Sequence, residues 1–304
     1  MKIICIFNGL GNQMSQYAFY LSQVDNQKVL YNNYYTTRSI KDHNGYELQN
    51  LFNIPQKKYL LLDLLVRFAR KVAIFNEIPK YHSFASFIMK TMRIIGLKIV
   101  LESKDYRYNI SHLKPNRGIA IHISGWYSSE YFNGKEELIR NAFKFDTTRL
   151  NTLSLEYLDK IKNTNSISIH VRRGDFLHAK NINKWGNVCT LDYYQKAIKK
   201  MIDELSNPSF FIFSDDIGWS KENLNKISNF TYIEHNTGED AWQDMYLISQ
   251  CKHHIMANSS FSWWGVWLGY NKGKTVIAPN KLHSLMGVPD FFPKEWILID
   301  TKDN

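Results

Sequence analysis

Ile167-Ser168-Ile169-His170-Val171-Arg172-Arg173-Gly174-Asp175 decides how this chain is read. An apolar run rich in β-branched residues stops abruptly at a histidine, two arginines, a glycine and an aspartate. The run predicts a buried parallel strand with the charged cluster at its carboxyl end, the edge where open α/β sheets bind ligands. Two guanidiniums there suit an anion, because the planar arginine fork matches phosphate oxygens and keeps its charge when partly buried. The alternative is internal: a salt-bridged arginine pair anchoring the loop to Asp175.

Outward from that strand, the second half alternates short apolar strands with helical stretches. Strand 167–171 leads to a helix over 191–205, and Phe210–Phe213 to a polar helix near 220–227. Tyr232–Ile233 leads to Glu239–Cys251, His254–Met256 to Ser262–Leu268, and Thr275–Ala278 closes the series. This spacing predicts a parallel, Rossmann-type sheet. The first half opens the same way, with strand Lys2–Phe7, a turn Asn8-Gly9-Leu10-Gly11-Asn12-Gln13 and a helix Met14–Gln23. Val29–Tyr31 follows as a strand, Ile119–Trp126 as a strand with its closing turn, and Ser129–Ala142 as a helix. Polar residues after Asp146 suggest a boundary, giving an N-terminal α/β domain over 1–150 and a C-terminal domain over 151–304.

Length and composition are those of a globular chain: 304 residues, 44% apolar, 22% charged, enough to bury a full core. A net charge of +10 points to anionic partners without choosing among them. Cys5, Cys189 and Cys251 are too few and too scattered for a disulfide framework or a zinc site, which suits a reducing cytoplasm. No signal peptide is expected at the N-terminus, and no apolar run approaches the roughly 18 residues of a spanning helix. Between 56 and 100, basic residues from Lys57 to Lys98 punctuate apolar stretches such as Leu60–Val66. That segment is either a basic amphipathic surface resting on an anionic membrane or a pair of ordinary helices with solvated basic faces.

Chemistry concentrates in two further places. Ala257-Asn258-Ser259-Ser260-Phe261-Ser262-Trp263-Trp264-Gly265 follows a strand and opens a helix, whose first-turn amides form a natural anion site. Plain helix capping explains the same residues. Phe211-Ile212-Phe213-Ser214-Asp215-Asp216 ends a strand in carboxylates that can accept from a base such as guanine, or cap the next helix. Asp215-Asp216 lacks the spacing of a divalent-metal chelate, and no metal site is expected. Gly9-Leu10-Gly11-Asn12 lacks both the third glycine of a dinucleotide fingerprint and a P-loop lysine, yet its neutral amides suit sugar hydroxyls. His253 and His254 point to opposite faces of a strand, and Trp263, Trp264 and Trp267 read as core. A nucleic-acid-binding protein would explain the charge, but no reader motif is present.

In order, Asn8-Gly-Leu-Gly-Asn-Gln13, His170-Val-Arg-Arg-Gly-Asp175, Phe213-Ser-Asp-Asp216 and Asn258-Ser-Ser-Phe-Ser-Trp-Trp-Gly265 resemble the bacterial α-1,2-fucosyltransferases of glycosyltransferase family 11. The resemblance spans nearly the whole chain, except that residues 50–115 match only in general character. It implies a GT-B-type α/β fold of two Rossmann-type domains facing a cleft, with the first on the acceptor side. The implied reaction moves L-fucose with inversion from GDP-β-L-fucose to the 2-hydroxyl of a terminal β-galactoside, with no cofactor and no metal. The resemblance gives Arg172 the β-phosphate, and gives guanine to His170 and to Asp216 or Asp215. Ser260 and the amide of Phe261, flanked by Ser259 and Ser262, would grip phosphate. Gly9, Gly11 and Asn12 would line the reacting sugar, and Asp175 would orient the arginines or serve as a base. Another GDP-sugar or linkage, or a catalytically silent glycan-binding protein, remains the competing reading.

Overall fold

The computed structural model describes residues 1–23, 28–32, 44–55, 60–179, 181–225, 230–284, 286–287 and 290–301. Lys57, at the start of the basic segment, and the expected helix end near residue 227 lie outside them. The chain divides into two compact units, Met1–Lys144 and Phe145–Asn304.

The N-terminal unit holds β1 (Lys2–Ile6), α1 (Leu10–Ser22), β2 (Lys28–Asn32), α2 (Leu48–Phe52), α3 (Leu60–Glu77), α4 (His82–Ile94), β3 (Leu97–Val100), β4 (Ile119–His122) and α5 (Glu136–Ala142). Its four strands are parallel in the order β2-β1-β4-β3. Helix α1 begins four residues earlier than the glycines suggest. The Gly9 carbonyl accepts from Asn12 N at 3.0 Å and Gln13 N at 3.1 Å, closing the first helical turn directly after Asn8. Gly11 and Asn12 are therefore helical, not part of an open loop. The helix expected over 129–142 is broken: a 3₁₀ turn at Ser129–Phe132 gives way to α5 past Gly134, whose φ of 72° suits glycine.

The C-terminal unit holds α6 (Thr152–Lys162), β5 (Asn165–Val171), α7 (Leu191–Glu204), β6 (Pro208–Ser214), α8 (Ile217–Leu224), β7 (Phe230–Ile233), α9 (Trp242–Gln250), β8 (His253–Ile255), α10 (Ser260–Leu268), β9 (Val276–Pro279), β10 (Lys281–His283), β11 (Met286–Gly287) and β12 (Ile297–Ile299). Helix α6 falls in the stretch that its polar composition marks as a passage between domains. Asn151 caps it by accepting from Ser154 N at 2.8 Å, while Leu158 and Ile161 bury its inner face.

Six strands form one parallel sheet in the order β12-β9-β8-β5-β6-β7. The first strand of the unit thus lies between its second and fourth, and the order reverses between β5 and β8. Such a reversal leaves a crevice at the carboxyl edge, because the connecting helices depart to opposite faces. Strand β5 obeys the two-residue period of a pleat. Ile167, Ile169 and Val171 join a core cluster with Tyr193, Tyr194, Ala197, Ile198 and Met201 of α7. Of the residues alternating with them, Ser168 hydrogen-bonds His254 at 2.8 Å and His170 stacks on Phe261. Trp263, Trp264 and Trp267 are core residues, as expected, with Trp263 Nε1 donating to Phe291 O at 2.9 Å.

Gly265 lets α10 pack against α9: a Cβ there would sit 2.8 Å from Ile248 Cγ2 and 3.4 Å from Met245 O. Ile248 is fully buried and β-branched, so it cannot swing aside. Gly265→Ala is expected to cost about 1–3 kcal/mol of stability by overpacking. Urea unfolding checks it, and an unchanged midpoint would show that the two helices tolerate a wider separation.

Candidate functional site

Register brings the C-terminal motifs together. Val171 pairs with Ser214, so Asp215 and Asp216 emerge beside Arg172 and Arg173. On the other side Ile169 pairs with Ile255, the last residue of β8, so the Met256–Ser259 segment emerges beside His170 and Val171. Two adjacent tyrosines of α7 hold these strand ends from below. Tyr194 Oη donates to His170 O at 3.1 Å and Tyr193 Oη to Met256 O at 2.7 Å, pairing a main-chain carbonyl at each strand end.

The arginines are held by three carboxylates. Arg172 Nη2 lies 2.6 Å from Asp175 Oδ1, and Arg172 Nη1 lies 3.0 Å from Asp215 Oδ2. Arg173 Nε donates to Asp216 Oδ2 at 3.0 Å, and its backbone N to Asp215 Oδ1 at 2.8 Å. The Arg173 guanidinium also lies over the Trp219 ring, 4.2 Å from its centroid. With side chains 29% and 25% exposed, both guanidiniums are confined yet reachable. Gly174 makes the arrangement possible, since a Cβ there would stand 2.6 Å from Asp215 Oδ2. The internal reading of the arginine cluster is therefore realised in part. It does not exhaust the fork, because Arg172 has five N–H donors and meets two carboxylates.

Asp216 also caps α8, its Oδ1 accepting from Trp219 N at 3.0 Å. The capping reading of Ser259 holds as well, with its Oγ accepting from Phe261 N at 3.2 Å. Ser262 departs from the expected phosphate grip: its buried hydroxyl donates to Ala257 O and Ser259 O, both at 3.2 Å. Asn258 is a clamp, not a cap. Its Nδ2 donates to Trp185 O at 3.0 Å and Leu282 O at 2.8 Å, fastening the segment after the arginines to β10. Ser260 opens α10 beside Phe261, and the Phe261 ring stacks on His170 with centroids 5.5 Å apart and planes 27° apart. That stack joins the tip of β5 to the mouth of α10.

His170 is enclosed, and its Nδ1 makes no hydrogen bond. Burial, reinforced by the Arg172 charge, pulls its pKa down to about 3, so the ring is neutral at physiological pH.

In the N-terminal unit the strand order reverses between β1 and β4. Asn12, in the first turn of α1, and Tyr127, just past β4, meet there through a 2.6 Å bond from Tyr127 Oη to Asn12 Oδ1. Beside them Glu102, past the end of β3, accepts from Trp126 N at 2.5 Å and Tyr127 N at 3.2 Å. Burial pushes the Glu102 carboxyl up to about 8, against the downward pull of those two amides. Sequence reasoning missed Glu102 and Tyr127. The available signal was that both lie shortly after a strand's carboxyl end, Glu102 two residues past β3 and Tyr127 five past β4. Gly9 supplies the first helical acceptors, and Gly11 lies buried inside α1. Among the described residues no group of three His, Cys, Asp or Glu side chains could hold a metal ion.

Comparison with known proteins covers almost all of the chain. The family model described as Glycosyl transferase family 11 matches residues 4–300. An alpha-1,2-colitosyltransferase of Escherichia coli is 33% identical over 305 residues, covering 96% of each chain. The O-antigen biosynthesis glycosyltransferase WbnK of Escherichia coli is 30% identical over 288 residues, covering 91% of this chain and 93% of that one. Galactoside alpha-(1,2)-fucosyltransferase 2 of Mus musculus is 30% identical over 112 residues, 36% of this chain and 31% of that one.

The neutral, enclosed His170 has a measurable signature. The folded protein keeps the ring unprotonated down to about pH 3, whereas an unfolded histidine protonates near 6.5. The unfolded state therefore binds more protons across that window, and stability falls as pH drops through it. His170→Phe keeps an aromatic ring against Phe261 and removes an unpaired buried nitrogen, so it should match or exceed the parent stability at pH 7. It should also lose less stability than the parent on acidification. Parallel pH-stability curves for the two proteins would contradict the assignment.

Proposed function

This chain belongs to glycosyltransferase family 11, and we propose that it moves L-fucose from GDP-β-L-fucose, with inversion, to the 2-hydroxyl of a terminal β-galactoside on a glycan. The observation that carries this reading is the His170–Phe261 stack, which brings the arginine-bearing tip of β5 against the start of α10 at the strand-order reversal. One diphosphate can then meet guanidinium N–H groups and helix amides together.

The acceptor oxygen attacks the anomeric carbon as the bond to the β-phosphate oxygen breaks, and that electron pair leaves with GDP. The sugar passes through an oxocarbenium-like state while negative charge grows on the diphosphate. Arg172 is assigned to that charge, and donors aimed where charge develops lower the barrier beyond helping binding. Asp175, 2.6 Å from Arg172, supports an orienting role and not that of a base. The acceptor proton leaves late, to the departing phosphate or to water. His170 and Asp216 are assigned to guanine. Each Asp216 oxygen keeps a second lone pair after its bonds to Trp219 and Arg173, enough to accept from the base's N–H edge. In the N-terminal unit, the acceptor side of the proposal, Asn12 is assigned to sugar hydroxyls. Guanidinium N–H groups already aimed by their carboxylates, together with helix amides, are assigned to the charge that grows on the diphosphate, so the proposed reaction requires no metal.

The near full-length match to a colitosyltransferase favours one second reading, in which the donor is GDP-colitose. Colitose is fucose without its 3-hydroxyl, so the two donors differ by a single hydrogen-bonding group.

Incubation with GDP-fucose or GDP-colitose and a panel of β-galactosides, in EDTA, separates these readings. NMR of the product is expected to show an α-1,2-linked fucose, formed without added metal. Colitose transfer alone would replace the donor assignment, and release of GDP from neither donor would remove both donor assignments. Arg172→Ala is expected to lower kcat by about two to three orders of magnitude. A rise in KM with kcat within about threefold would make Arg172 a binding residue only.

A further inference from the structure

Helices α3 and α4, joined through Ile78–Tyr81, turn one face to the N-terminal core and the other to solvent. Val66, Ala69 and Val72 of α3, with Ala85 and Met92 of α4, enter the core cluster. At 3.6 residues per turn, Leu64, Phe68 and Phe75 project from the opposite side of α3, and Phe87 and Ile94 from that of α4. A solvent-facing side would ordinarily be polar. Here Leu64 is 74% exposed, Phe84 60%, Phe87 67% and Ile94 85%.

Basic residues interleave with these rings and chains. Arg67, Lys71, Lys80, Lys90 and Arg93 are all exposed. From 60 to 95 the only acidic residues are Asp63, 3.3 Å from Arg67, and Glu77. No helix among the described residues is long and apolar enough to cross a membrane. Apolar anchors ringed by cations, on helices that cannot span, match an element lying in the plane of a bilayer surface.

We propose that the outer face of the α3–α4 hairpin is a docking surface for an anionic lipid bilayer. Its Leu, Ile and Phe side chains enter the boundary between headgroups and acyl chains, and its lysines and arginines pair with lipid phosphates. Charge selects this occupant over a second copy of the chain. A two-fold dimer would set the same basic patch against itself and bury lysines, which interface centres exclude. The proposal does not depend on which sugar is transferred.

The test uses the whole chain and vesicles of pure phosphatidylcholine or of phosphatidylcholine with phosphatidylglycerol. Co-sedimentation is expected with the anionic vesicles, weakening with added salt. Binding should be at least about tenfold weaker on phosphatidylcholine alone and for the doubly charge-reversed Lys71→Glu, Lys90→Glu variant. Phe84→Ser with Phe87→Ser keeps the charge and should lose binding on the same scale. Unchanged circular dichroism and GDP affinity in both variants separate lost docking from lost folding. Absence of co-sedimentation, equal binding by both variants, or a lipid-free dimer that needs Phe84 and Phe87 while vesicles stay unbound would each overturn the proposal.

Discussion

Two guanidiniums confined at one strand end must be compensated, and the C-terminal unit is arranged around that requirement. Arg172 and Arg173 meet Asp175, Asp215 and Asp216, which arrive from the β5 loop and from the end of the neighbouring β6. Removing a partner from a confined charge costs more than the pair contributes, so each carboxylate is constrained by the others. The constraint reaches into the chain itself. Gly174 has no room for a side chain because Asp215 occupies that space, and Asp216 starts α8 with the oxygen it does not give to Arg173.

Three carboxylates against two guanidiniums leave no local excess of positive charge. An anion at this edge is therefore not held by bare charge. The chain's net +10 can raise the encounter rate over longer range, while retention depends on directional N–H donors already aimed by the carboxylates. Such fixed donors need little reorganisation when charge develops on a leaving group, which is the physical basis of the catalytic assignment. The N-terminal unit repeats the logic with neutral groups. Glu102, held by two amides, fixes the backbone of Trp126 and Tyr127, and Tyr127 fixes Asn12.

What was legible in the sequence was local and periodic. The alternation in Ile167–Val171 and the tryptophans at helical spacing stand as read, and the strand-helix series after β5 holds with shifted bounds, as where α8 runs Ile217–Leu224 and α9 Trp242–Gln250. Two of the misread elements are helices that composition disguises, and a third is the helix expected over 129–142, which Gly134 divides. Gly9, Gly11 and Asn12 resemble an open turn, yet the Gly9 carbonyl starts α1; polar residues hide α6 behind the cap of Asn151. The roles of individual site residues were harder, because they rest on partners far away in the chain. Asn258 finds its acceptors at Trp185 and Leu282, and Asn12 finds its donor at Tyr127. No short-range pattern encodes such pairings. Ser262 shows the same limit in reverse, since a hydroxyl in a helix's first turn can face a ligand or its own backbone, and here it bonds the backbone.

The account stands on the β5 tip and the α10 mouth sharing one diphosphate. A crystal structure with GDP bound tests this most directly. It should show β-phosphate oxygens within about 2.7–3.2 Å of both an Arg172 guanidinium nitrogen and a first-turn amide of α10. A diphosphate held by only one of the two, or GDP bound elsewhere, would contradict it.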